Sequence, residues 1–384
     1  MKICVTITTR GNYGKQKSLI EEILKHNSDE LYGGDLILYF IYGGEALLPQ
    51  YWSAEKPYFS NRELFYFIDG ENNLTMAQSA GLALMQFANA FHELQPDVVT
   101  VVGDRYDTLA ITMAAAYQNI PVAHIEGGEV SGSIDESIRH AITKLSHIHF
   151  PATEEAAERI RKMGEEPDTI HVVGASSLDV IPTLDMNLDW FKNAQENQGV
   201  GGSINIKDDY IVVLYHPVTT EYNKAYQQTI ELINAVIRTG YQAIWIWPHG
   251  DAGSDGVSKA IRETREQINH SYPIRWFKGF SIEQYLPLIN GSICLVGNSS
   301  SGIRESAFLG VPVVNIGSRQ CTRKRGKNVI DTECNEREIS DAIFTQFEHG
   351  RYEKDNIYGD GNAGKKMLEV LKNTEFKIQK RITY

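Results

Sequence analysis

This chain of 384 residues lacks most of the features that announce a metal, a disulfide framework or a membrane. Its four cysteines, Cys4, Cys294, Cys321 and Cys334, show no C-x-x-C spacing, which argues against both a zinc site and a set of disulfides. No H-x-x-H pair or acid cluster has ligand spacing, so no metal is expected. No apolar run approaches the ~18–20 residues needed to span a bilayer. The sequence opens on the strand-like Lys2-Ile-Cys-Val-Thr-Ile-Thr8 rather than on a signal peptide, and a cytoplasmic protein is expected. A net charge of −12 with no long basic block argues against non-specific nucleic-acid binding. The densest basic run, Arg323-Lys324-Arg325 with Lys327, is short and suits a single phosphate better. The turn after the first strand is not G-x-G-x-x-G, which argues against a dinucleotide cofactor. Internal repeats and low-complexity segments are also missing.

What is present is an ordinary globular composition, 42% hydrophobic and 22% charged, at a length that favours two domains over one core. Strand-like and helix-like patterns alternate along nearly the whole chain, the mark of a doubly wound α/β architecture. In the first half, strands are expected at 2–9, 35–42, 63–68, 97–102, 121–125, 147–150 and 170–173, with helices at 15–26, 74–94, 106–118, 136–145 and 154–163. The second series has strands at 210–215, 242–247, 274–277, 292–296 and 312–316. Its helices lie near 221–238, 257–268, 281–289, 302–309 and 336–348. The glycine-rich stretch 193–207 reads as a linker between them. The expected fold is α/β with two Rossmann-like domains facing across a cleft: 1–192, then the linker, then 208–360. The helical tail 361–384 is expected to pack back on the first domain.

The candidate chemistry sits at strand ends, where open α/β sheets bind ligands. Val-Val-Thr-Val-Val102 runs into Gly103-Asp104-Arg105-Tyr106-Asp107, placing a carboxylate and a guanidinium at such an end. Asp104 and Arg105 read equally well as a helix cap and a surface ion pair, and Asp107 is the weaker member. Pro121-Val-Ala-His124-Ile125 runs into Glu126-Gly127-Gly128-Glu129, where the two glycines would let a ligand approach the backbone closely. Either Glu126 or Glu129 suits as the functional acid. Asp135 opens a helix and reads as its N-cap. Arg10-Gly11-Asn12-Tyr13-Gly14 forms a turn in which Arg10 would take a phosphate. His216 ends the strand 210–215, and His249 and Asp251 follow the next. Gly297-Asn298-Ser299-Ser300-Ser301-Gly302 then leads into a helix carrying Glu305. Free N–H groups and hydroxyls there suit a diphosphate, with Glu305 accepting ribose hydroxyls, although simple N-capping by serine is the plain alternative.

Taken together and in order, these motifs resemble the hydrolysing UDP-N-acetylglucosamine 2-epimerases of sialic-acid and related nonulosonate biosynthesis, from Arg10 to about Asn328. The most specific parts are Gly103-Asp-Arg105, His124-Ile-Glu-Gly-Gly-Glu129 and Ser131-Gly-Ser-Ile-Asp-Glu-Ser-Ile-Arg-His140. Gly297-Asn-Ser-Ser-Ser-Gly-Ile-Arg-Glu305 and Asn315-Ile-Gly-Ser-Arg-Gln320 complete the run. The resemblance implies a GT-B-like fold and conversion of UDP-GlcNAc and water to UDP and N-acetylmannosamine through a 2-acetamidoglucal, without cofactor. It implies catalytic acids at Asp104, Glu126 and Asp135, and UDP contacts from Arg10, His216, Ser299, Ser300, Glu305 and Arg319; Arg105 and His249 join the substrate-binding candidates from their own positions at strand ends. It also implies a homo-oligomer, dimer or tetramer, with helix 136–146 as one possible contact. The chain departs from the family where Asn12 replaces a common acid and where Thr322 replaces a usual glycine.

Four other readings compete. One is a non-hydrolysing epimerase, from which the motif 126–135 differs. Another keeps the chemistry but acts on UDP-2,4-diacetamido-2,4,6-trideoxyglucose, the legionaminic-acid route. A GT-B glycosyltransferase would have no use for three acids at adjacent strand ends. A non-catalytic nucleotide-sugar sensor would have no use for intact acids.

Overall fold

The computed structural model describes residues 1–29, 34–48, 60–68, 73–130, 134–247, 254–268 and 272–383. The chain divides into two compact units, one of residues 1–180 with 358–384 and one of residues 181–357.

In the first unit, β1 (Lys2–Ile7), β2 (Ile37–Gly43), β3 (Arg62–Leu64), β4 (Val98–Val102), β5 (Val122–Ile125) and β6 (Ile148–Phe150) form one parallel sheet in the order β3-β2-β1-β4-β5-β6. Side chains alternate across it with a period of two. From β1, Ile3, Val5 and Ile7 enter one core cluster and Cys4 the other. The first cluster packs against α1 (Arg10–Asp29) through Leu19, Ile20 and Ile23. The second packs against α2 (Asn73–Leu94) and α3 (Tyr106–Tyr117) through Phe87, Phe91, Ile111 and Ala115. Each of these leucine, isoleucine and phenylalanine side chains, almost wholly buried, stabilises the fold by roughly 1.5–3 kcal/mol. After β5 come α4 (Ile134–Leu145) and, beyond β6, α5 (Glu154–Lys162).

The second unit repeats the plan. After α6 (Phe191–Asn197) and the short β7 (Val200–Gly201) come β8 (Tyr210–Leu214), α7 (Ala225–Thr239), β9 (Gln242–Ile246), α8 (Ser254–Ile268), β10 (Ile274–Phe277) and α9 (Ile282–Gly291). Then follow β11 (Leu295–Gly297), α10 (Glu305–Leu309), β12 (Val313–Ile316), β13 (Val329–Thr332) and α11 (Glu336–His349). Strand order is β13-β12-β11-β8-β9-β10-β7, parallel except for β7. Without β7, both units show the doubly wound order in which the first strand lies beside the fourth. That juncture is the topological switch point where such sheets bind ligands. It falls between β1 and β4 in one unit and between β8 and β11 in the other.

The chain then returns to the first unit as α12 (Ala363–Asn373), whose first amides donate to the Asp179 carboxylate at 3.0 and 2.7 Å. Gly364 lies so close to α1 that a Cβ there would meet the Ser18 backbone at 2.5 Å. The last residues run on across the C-terminal end of α4. Lys380 Nζ donates to the carbonyls of Lys144 (2.7 Å) and Ser146 and pairs with the buried Glu165 at 2.6 Å.

Several expectations change. The stretch 193–207 is not a linker: it forms part of α6 and β7, and β7 pairs antiparallel with β10. Its glycines serve close packing, since a Cβ on Gly201 (φ +118) would meet the Ile274 carbonyl at 2.5 Å. Helix α1 starts at Arg10 instead of near Lys15, because Thr9 Oγ1 accepts from the Asn12 amide (3.1 Å) and caps it despite Gly11 and Gly14. The strand expected at 170–173 reduces to one parallel bridge between Ile170 and His149. Strand β13 was not anticipated.

Candidate functional site

In the first unit the candidate acids leave adjacent strands. Val102 of β4 and Ile125 of β5 are paired in register, so Gly103-Asp104 and Glu126 emerge together at the carboxyl end of the sheet. Gly103 sits at φ +73, and its amide donates to the Ile125 carbonyl at 3.0 Å. Asp104 takes an ion pair from Arg139 Nη2, while Arg139 Nη1 donates to the Glu129 carbonyl at 2.8 Å. The guanidinium is buried, and one side chain thereby ties the end of β4, the loop after β5 and α4.

Glu126 is also buried, and its carboxylate meets Lys15 Nζ at 2.5 Å. Lys15 compensates a charge held out of water, which buried carboxylates require. The Glu126 backbone lies at φ +63, a region costly for a side chain other than glycine, and its amide donates to the Phe150 carbonyl at 3.0 Å. Such strain is tolerated where the surroundings fix the conformation, commonly at functional sites.

The glycines after Glu126 serve packing and not ligand approach. A Cβ on Gly127 would meet His124 Nδ1 at 2.9 Å, and one on Gly128 the Ala156 carbonyl at 2.3 Å. His124 is wholly buried; its Nε2 donates to the Gly103 carbonyl at 2.8 Å and its Nδ1 accepts from the Thr143 hydroxyl at 3.2 Å. Burial above all pushes its pKa down to about 3, so it is a neutral brace beneath Asp104.

Asp135 is the second residue of α4 and exposed, inside the first turn where the sequence suggested an N-cap. Its neighbour one turn on is Arg139, on the same helix face. Arg105 donates to Glu45 Oε1 at 2.9 Å, lies 3.5 Å from Asp107 and stacks over the Tyr106 ring. Asp107 is buried and accepts from the Thr108 amide and from Tyr66, which makes it structural. Arg10 opens α1 after β1; its side chain lies outside the description, and His249 and Asp251 lie outside the described residues.

In the second unit His216 follows β8, the serine loop follows β11 and Arg319 follows β12, all at the carboxyl end of one sheet. Asn298, wholly buried, grips His216: its Oδ1 accepts from the His216 amide and its Nδ2 donates to the His216 carbonyl, both at 2.8 Å. The Asn298 carbonyl accepts from Arg319 Nη1 at 3.1 Å and Gln320 Nε2 at 2.9 Å. Ser299 caps a single 3-10 turn, Ser300–Gly302, rather than a long helix. Its Oγ lies 2.9 Å from that of Ser301, which meets Tyr285 at 2.5 Å. The α-helix beyond has only five residues, so the dipole is weaker than the sequence suggested, and what the loop offers is hydroxyls and amides. Glu305 opens that short helix and is buried. The basic run is partly spoken for, since Arg325 pairs with Asp331 at 3.0 Å and donates to the Gln320 carbonyl at 2.6 Å.

A cavity of about 480 Å³ opens beside this loop, lined by Tyr215, Glu221, Cys321, Asp331 and Cys334 among others. Its acids disfavour a diphosphate, and of the residues considered for phosphate binding only Arg325, already paired with Asp331, lines it. Among the described residues no group of three or more His, Cys, Asp or Glu is placed to hold a metal, and no helix is long and apolar enough to cross a membrane. Lys15, Arg139 and Asn298 carry roles that sequence reasoning did not assign. Their one sequence signal is position: Lys15 five residues beyond Arg10, Arg139 four beyond Asp135, and Asn298 at a strand end.

Residues 38–372 match the family model described as UDP-N-acetylglucosamine 2-epimerase. The chain is 31% identical over 383 residues to the UDP-N-acetylglucosamine 2-epimerase of Neisseria meningitidis serogroup B, covering 97% of this chain and 95% of that protein. It is 37% identical over 298 residues to the UDP-N,N'-diacetylbacillosamine 2-epimerase (hydrolyzing) of Legionella pneumophila, covering 78% of this chain and 76% of the other. Among solved structures, the UDP-GlcNAc 2-epimerase from Neisseria meningitidis bound to UDP-GlcNAc superposes with a TM-score of 0.79 at 19% identity, over 97% of this chain and 100% of that one. Two α/β units with parallel sheets and this likeness give the GT-B-like fold expected from the sequence. The chain therefore belongs to the UDP-N-acetylglucosamine 2-epimerase family.

Proposed function

We propose that this enzyme hydrolyses UDP-N-acetylglucosamine with inversion at C2, giving N-acetylmannosamine and UDP. The observation that carries the proposal is the pair of carboxylates, Asp104 and Glu126, leaving adjacent parallel strands, each matched by its own cation, Arg139 or Lys15. The motif run of the hydrolysing branch supports the choice of reaction.

The C2 proton of the sugar is poorly acidic because no carbonyl adjoins it. The C1–O bond must therefore break before or together with proton removal. One carboxylate takes the C2 proton, the C–H electrons form the C1–C2 double bond, and UDP leaves with the C1–O electrons. The product of this step is 2-acetamidoglucal. Water then adds its oxygen to C1 while an acid delivers a proton to C2 from the opposite face, which inverts that centre. Asp104, Glu126 and Asp135 supply these proton transfers; groups so placed contribute about 10²–10⁴-fold each. Arg10, Arg105, Arg319, His216, His249 and the hydroxyls of Ser299 and Ser300 bind UDP and stabilise the leaving diphosphate, and Glu305 accepts from the ribose.

A second reading keeps these steps and changes the sugar to the UDP-linked 2,4-diacetamido-6-deoxy analogue, and the name of the Legionella relative favours it. Phosphorus NMR of the protein with each UDP-sugar decides. Free UDP from one of them identifies the substrate. A signal that stays sugar-linked while the sugar epimerises would mean a non-hydrolysing enzyme.

A further inference from the structure

We propose that Asn298 is the positioning residue of the UDP-binding half, holding His216 and Arg319 in register by acting as a side-chain extension of the sheet. The proposal rests on the reading that those two residues contact UDP.

The ladder between β8 and β11 ends abruptly. Gly297 pairs with Leu214, and the Asn298 amide makes the last backbone bond, to the Leu214 carbonyl at 3.2 Å. Gly297 then turns the chain at φ +139, so near β8 that a Cβ would meet the Leu214 carbonyl at 2.0 Å. Beyond this point the backbones part, and His216 would lose its strand partner. The Asn298 carboxamide replaces it, offering one acceptor and one donor to the two backbone groups of His216, both at 2.8 Å. A buried residue is thereby fixed at both its N–H and its C=O, which sets where its ring leaves the chain. The Asn298 carbonyl gathers Arg319 and Gln320 from the loop after β12. One residue thus joins three strand ends.

Only asparagine meets the demand at this length. Aspartate has the same shape but, when ionised, no donor for the His216 carbonyl. Glutamine is one methylene too long, and serine cannot serve both groups.

The N298D variant tests this by titration calorimetry with UDP and by kcat and KM for the UDP-sugar from pH 5 to 8, with circular dichroism confirming the fold. At pH 8 the ionised side chain sets a carboxylate against a carbonyl. UDP affinity should then fall by about 10- to 100-fold, the effect of a buried acceptor left without its donor. As pH drops, the protonated acid regains a donor, and affinity should climb back toward that of the unchanged protein. A role in stability alone would not produce that recovery. Affinity equal to that of the unchanged protein throughout, or a loss that acid does not reverse, would overturn the proposal. If N298D does not fold, hydrogen exchange on the unchanged protein decides: a protected His216 amide supports the clamp, and exchange at an open-loop rate overturns it. Failure of the unchanged protein to bind UDP at all would instead defeat the functional reading; the same exchange measurement, made without ligand, would still judge the clamp.

Discussion

Glu126 combines three costs at one residue: burial of a carboxylate, a left-handed backbone and dependence on a lysine from helix α1. A residue kept only for packing would not need all three, and the proposed role as an acid accounts for them together. Glu126→Gln is nearly isosteric and should lower kcat by about 10³-fold, within the usual range for a general acid or base, while the thermal midpoint changes little. Unimpaired turnover in a steady-state assay would remove Glu126 from the chemistry. At this scale the sequence offered Glu126 and Glu129 as candidate acids and gave no sign of the Lys15 partner. Glu126 stands out beside two glycines, whereas Lys15 looks like any surface lysine until α1 brings it across the sheet end. The reading of Gly127 and Gly128 failed for a related reason: glycine marks a close approach, but the sequence does not say of what, and here it is His124 and Ala156.

Among the elements, α4 ties the candidate site to the far end of the chain. Its first turn carries Asp135, its second Arg139, and its C-terminal carbonyls are capped by Lys380 from the far end of the chain. That ammonium also reaches Glu165, where burial alone would raise the carboxyl, but hydrogen bonds from His149, Lys144 and Lys380 outweigh it and hold the pKa at about 2. Removing the cation by Lys380→Ala leaves Lys144 as a partner, so the cost should be about 2–3 kcal/mol, below that of emptying a buried pair entirely. Urea denaturation checks this; an unchanged midpoint would show that the tail merely rests on the surface. The existence and sequence of most helices and strands were legible because apolar runs and helical periods alternate cleanly, whereas their order in the sheets came only from the structure. Strand β13 was not, since Val329-Ile-Asp-Thr332 is a short edge strand with no burial pattern to betray it. The glycines of β7 imitate a linker for the same reason that edge strands escape notice: their packing partners are distant in sequence.

At the scale of the molecule, two buried histidines, His124 and His149, and the half-buried His147 set the acid limit of stability. Burial is the chief cause of the low pKa of His124 (about 3) and of His147 (about 4), and it also lowers that of His149. In the unfolded chain each titrates near 6.5. Above that value neither state binds the proton, and these groups leave stability independent of pH. Below it the unfolded chain takes up protons that the folded protein refuses, so stability falls, by about 1.4 kcal/mol per pH unit for each group, until the folded pKa is reached. Glu165 adds to the loss between its unfolded value of 4.5 and about 2. Denaturation midpoints from pH 7 to 4 should therefore decline progressively, and His124→Asn should flatten the slope by one proton's share. An equal slope in that variant would contradict the assignment. The repeated strand order sets Asp104, at the end of β4, and the serine loop, at the end of β11, beside the switch points of their two sheets.

In the proposed reaction a carboxylate removes the C2 proton as UDP departs. Proton NMR of the purified enzyme with UDP-N-acetylglucosamine in deuterated water is the decisive experiment. Free UDP and N-acetylmannosamine carrying deuterium at C2 are the expected products. N-acetylmannosamine that retains its original C2 proton would contradict this reaction.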